Sequence, residues 1–72
     1  MISLPFAIAL DNLGLAEVVL ARPRHGRRHL IRALAMKRVL LPPGDAQIAF
    51  TERALAQADA AFGLLRFPVG RG

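Results

Sequence analysis

The sequence predicts an α+β fold: a small single domain with an N-terminal β-hairpin over about residues 2–21, helices over about 27–41 and 45–62, and a short strand in the tail 64–72. An all-α arrangement is the alternative. Three observations lead to this reading. Bulky Ile2, Leu4, Phe6, Ile8 and Leu10 alternate with small Ser3, Pro5, Ala7 and Ala9, the period-two pattern of a strand. The stretch "DNLG" at 11–14 puts Asp first and Gly fourth, which suits a type I turn closed by a left-handed glycine. From Leu30 onward apolar residues recur at helical spacing, and "PPG" at 42–44 breaks the run in two.

The first strand carries Pro5, whose missing amide donor places it at a sheet edge or cuts it short. "LAEVVLA" is the returning strand. A helix fits this region less well, because at 100° per residue the apolar side chains from Leu4 to Leu20 surround the axis and Asp11 falls on the side of Leu4. "RPRHG" ends the hairpin, since Pro23 holds Arg22 extended and Gly26 offers a break. The helix that follows places Leu30, Ile31, Leu34 and Leu41 on one side, with Arg28 and Arg32 pointing away. Asp45 caps the second helix and Gly63 lies just past its end. Along that helix Ile48, Leu55 and Phe62 recur every seventh residue, with Thr51 and Ala58 between them, and form a narrow association seam.

Seventy-two residues make one domain at most, near the size where a core buries only about 60% of the unfolded chain's surface. There is no cysteine, so neither disulfides nor thiolate metal sites support it. Hydrophobic residues make up 54% of the chain, and in so small a domain part of that excess reaches the surface, where apolar patches mark association sites. A homo-oligomer, or a subunit of a complex, is expected. Asp11 and Glu17 interrupt the most apolar region, so no run approaches the roughly 20 residues of a membrane span. "MISLPFAIAL" lacks the positive start of a secretory signal, and the cytoplasm is the expected location.

Charge is segregated. Arg22, Arg24, Arg27, Arg28, Arg32, Lys37 and Arg38 supply seven of the ten cations within one stretch that holds no carboxylate. On the second helix Asp45, Glu52 and Asp59 form an acidic stripe at seven-residue spacing, able to pair with Arg28 and Arg32. Three carboxylates leave at least four of those cations unbalanced, and such density attracts polyanions. Guanidinium forks match phosphate oxygens in bidentate geometry. Phe6, Phe50, Phe62 and Phe67 read as core, so contact with nucleic acid is expected at the backbone and without sequence preference.

His25 and His29 have the i, i+4 spacing of a metal pair, but the neighbouring arginines repel a cation, and no metal or other cofactor is expected. No nucleophile stands beside a base, which makes the chain a non-enzyme. Two roles follow. One is a module binding nucleic-acid phosphates through the basic segment. The other is an assembly or structural subunit that docks through its apolar seam and sets its arginines against an acidic protein partner. The order "LPFAIALDNLGLAEVVLARP" followed by a helix resembles small phage tail-assembly chaperones over about residues 4 to 34, although "RHGRRH" departs from that family's acidic helix start. That resemblance implies a hairpin and an assembly role.

Overall fold

Ser3 opens a helix where the size alternation reads as a strand. Its Oγ accepts a hydrogen bond from the Phe6 amide at 3.2 Å, and Pro5 occupies the first turn, where no amide donor is needed. The structure is a computed structural model that describes residues 2–66, with side chains through residue 63. It contains three helices: α1 (Leu4–Val19), α2 (Pro23–Leu40) and α3 (Ala46–Arg66). No strand occurs among the described residues. The α+β expectation is therefore corrected to an all-α bundle, and the hairpin over 2–21 is α1.

The "DNLG" turn is absent because all of its residues are helical, and Asp11 and Gly14 are both buried. α2 starts at Pro23 and not near Arg27, with Gly26 inside it, and α3 runs through Gly63 to Arg66. Of the strand expected in the tail, residues 64–66 are helical and the rest lies outside the described residues. With the hairpin gone, the resemblance to tail-assembly chaperones loses its structural basis.

The chain reverses after α1 through a Schellman arrangement: the Ala21 amide donates to the Val18 carbonyl at 3.1 Å and the Arg22 amide to the Glu17 carbonyl at 2.7 Å. Ala21 holds the left-handed position usually given to glycine, at φ 62°. Between α2 and α3, Gly44 at φ 86° follows two prolines, and the Asp45 amide donates to the Pro42 carbonyl at 3.1 Å, a turn of type II character. Asp45 Oδ1 then accepts from the Gln47 amide at 2.8 Å and caps α3.

α1 and α2 pack closely because glycine faces glycine. A Cβ at Gly26 would stand 2.5 Å from the Gly14 carbonyl oxygen, and one at Gly14 would stand 2.8 Å from Leu30 Cγ. Ala7, Leu10, Ala33 and Met36 continue the contact toward the other end of the pair. α3 closes over Leu30 with Ala54 and Ala58, while Leu15, Val18 and Leu55 pack around them.

One polar cluster lies inside this apolar packing. Lys37 is fully buried, and its ammonium pairs with Asp11, donates to Thr51 Oγ1 at 2.9 Å and reaches Gln47 Oε1 at 3.0 Å. The Thr51 hydroxyl in turn donates a hydrogen bond to the Asp11 carboxylate, 2.9 Å away at Oδ1. The cluster takes one residue from α1, one from α2 and two from α3, so it ties all three helices together. No buried side-chain nitrogen or oxygen among the described residues lacks a partner.

Gly26→Ala should cost about 1–3 kcal/mol through overpacking against Gly14. Gly63→Ala, with nothing within 4 Å of the added carbon, should instead gain about 0.5–1 kcal/mol from helix propensity. Urea unfolding followed by circular dichroism distinguishes the two signs. Lys37→Met leaves the Asp11 charge buried without its partner and should cost about 3–5 kcal/mol. Adding Asp11→Leu and Thr51→Val to it should recover most of that loss, because apolar groups of similar volume then replace the three buried members of the cluster and the exposed Gln47 can turn to water. A triple variant no more stable than Lys37→Met would refute this account.

Candidate functional site

Within α2 exposed arginines repeat every fourth residue: Arg24, Arg28 and Arg32. At a rise of 1.5 Å per residue the row is about 12 Å long. Arg22, also exposed, sits one residue before the helix as its N-cap, with no side-chain capping bond. Arg24 stacks over Phe62, its guanidinium carbon 5.4 Å from the ring centre, and Arg32 lies 6.0 Å over Phe6. Between α2 and α3, Arg24, Arg27, Arg28, Asp59 and Phe62 line an open groove of about 500 Å³.

The remaining cations of the stretch are engaged. Arg27 Nε donates to Asp59 Oδ1 at 2.6 Å and Arg38 to Glu52 Oε2 at 2.9 Å, both at exposed positions. Lys37 is inside the core, so it is withdrawn from any surface that the sequence assigned to it. The acidic stripe does pair, but with Arg27 and Arg38, not with Arg28 and Arg32. Asp45 caps α3, Glu17 Oε1 meets His29 Nδ1 at 2.6 Å, and Asp11 holds Lys37. Thus all five carboxylates of the chain have other partners, and among the described residues none pairs with Arg22, Arg24, Arg28 or Arg32.

Like charges at i, i+4 destabilise a helix by about 0.2–0.5 kcal/mol per pair, and the row contains two such pairs. Arg24 also stands in the first turn, where the helix dipole disfavours a cation, and no acidic residue offsets it there. The row is thus a local cost to α2. A bound anion would remove both terms.

The association seam expected on the second helix is divided. Ile48 is buried and Leu55 packs against Leu30, Ala54 and Ala58, so these two are used inside the monomer, while Phe62 is half-buried beneath Arg24. Sequence reasoning did not find the stacking of Phe6 and Phe62 on arginine, because it depends on which helices become neighbours. His25 is exposed and His29 is taken by Glu17, and no group of three metal-ligating side chains occurs among the described residues. No described helix is long and apolar enough to cross a membrane. Compared with protein-family models, curated proteins and solved structures, the chain matches none.

Proposed function

We propose that the protein is a small non-enzymatic binding module that contacts nucleic-acid phosphates through Arg22, Arg24, Arg28 and Arg32. One observation carries the reading: an exposed row of arginines on α2 without carboxylate partners among the described residues, in a chain whose five acidic side chains are all engaged elsewhere. A row about 12 Å long spans three to four phosphates of one strand, at roughly 3.4 Å of axial rise for each. Guanidinium groups take phosphate oxygens in bidentate geometry. The aromatic rings nearest the row are engaged in stacking with its arginines, so contact is to the backbone and largely independent of sequence. This reading places the protein in the cytoplasm, where nucleic acid is accessible.

Fluorescence anisotropy against duplex DNA and single-stranded RNA tests the proposal. With three or four phosphate contacts, log affinity for duplex should fall against log salt with a slope of about −3. Arg24→Gln, Arg28→Gln and Arg32→Gln together should flatten the slope and weaken binding to unrelated sequences alike. Asp59→Asn releases Arg27 beside Arg24 and Arg28 and should steepen the slope by about 0.9, one further contact. If folded protein at tens of micromolar binds neither polymer, the row faces an acidic protein surface instead, and the assembly role takes precedence.

A further inference from the structure

α1 is apolar on two sides, and only one of them is covered. Its inner side, with Ala7, Leu10, Asp11 and Gly14, is buried by the other helices. On the outer side Phe6, Ala9, Leu13, Ala16 and Leu20 recur at intervals of three and four residues, the spacing of a helix-pairing seam, and every one of them is exposed. Leu13 is 46% exposed and Leu20 69%, and Ile2 extends the line at 55%.

From these observations we infer that the outer face of α1 is the contact surface for a second copy of this chain, docked as an antiparallel α1–α1 pair. The seam alternates large and small, and that order makes it complementary to itself. When a two-fold axis passes beside residue 11, Phe6 meets Ala16 of the second copy, Ala9 meets Leu13, and Ile2 meets Leu20. In the central layers each large side chain then enters the space left by an alanine, the interdigitation that close helix packing needs. A closed two-fold dimer requires such a self-matching patch. A lipid surface imposes neither the spacing nor the alternation.

Charge agrees with this arrangement. The seam has no ionisable residue, so two copies of net charge +5 meet without burying like charges. Glu17 reaches His29 of α2, and Arg32 of α2 lies over Phe6, so Phe6 and Glu17 share the edge of α1 nearest α2. The two-fold axis brings like edges together and sets Arg32 of one copy beside Glu17 of the other. Area limits the strength. A single-helix seam buries less than the roughly 800 Å² per partner of a standard interface, so the dimer is weak and forms at micromolar or higher protein concentration. The inference stands on α1 and does not depend on phosphate binding.

Sedimentation velocity from ten to several hundred micromolar protein is the test. The wild-type sedimentation coefficient should rise toward that of a dimer. Leu13→Glu and, separately, Ala9→Glu should weaken dimerisation about tenfold or more, with melting of the dilute protein unchanged because both sites are exposed. The chain lacks cysteine, so orientation is read by oxidising a mixture of Ala9→Cys and Leu13→Cys proteins carrying distinguishable tags. The mixed disulfide should predominate. Predominance of the two like-with-like disulfides would indicate a parallel pair and overturn the arrangement. A wild type that stays monomeric throughout would overturn the inference. If that monomer binds phosphatidylglycerol vesicles and Leu13→Glu does not, the face belongs to a lipid surface.

Discussion

The pairing of Asp11 with Lys37, completed by Thr51 and Gln47, decides which way α1 turns. Hydrophobicity leaves that choice open, since α1 is apolar around most of its circumference and offers two seams of similar spacing. Rotating the helix to put Phe6, Leu13 and Leu20 inward would bury comparable apolar area. It would also strand Lys37 in the core without its carboxylate, a penalty of several kcal/mol in a domain whose whole stability is about 4–11 kcal/mol. A buried ion pair adds little net stability over an apolar substitute, and its weight here falls on register and facing. Gly14 against Gly26 reinforces the choice, because only that face admits α2 so closely.

The same residue explains why the N-terminal third reads as a hairpin in the sequence. Asp11 breaks the apolar periodicity of α1 when charge is assumed to face water, and its partner lies 26 positions away. Size alternation from Ile2 to Leu10 then imitates a strand, while the helix is apolar on both faces. Ser3 and Pro5 were the local signs of a helix start. The break at 42–44 and the Asp45 cap are legible because each depends on two or three adjacent residues. The glycine contact is not, since Gly14 and Gly26 read alone as a turn and a break and acquire meaning only as a pair.

The candidate site was legible as a charge surplus but not as a geometry. Seven cations without an intervening acid mark the segment, yet helical phase sorts the six within α2 into three fates: Arg24, Arg28 and Arg32 outward, Arg27 and Arg38 toward α3's acids, and Lys37 inward. Lys37 is the one lysine among ten cations and, among the described residues, the one cation in the core. A compact ammonium with three donors suits a closed cluster of oxygens, whereas a guanidinium fork needs more room and five partners.

Two features of the chain oppose its own folding, and they lie on different helices. The outer seam of α1 leaves leucine and phenylalanine in water, and the α2 row places like charges one turn apart, with Arg24 at the helix end that disfavours it. Each could be relieved by ordinary surface substitutions, because Leu13 and Arg28 are both exposed and neither hydrogen-bonds to the Lys37 cluster. Natural proteins tolerate such disagreement between local preference and global fold chiefly at functional sites, and that is the ground of the two proposals made for these faces. The two conflicts call for different chemistry: an uncharged surface shaped like the seam for α1, and oxygen anions for α2. A single partner meeting both would have to offer an apolar ridge beside an anionic stripe, whereas the proposed second copy and the proposed polyanion would each meet one.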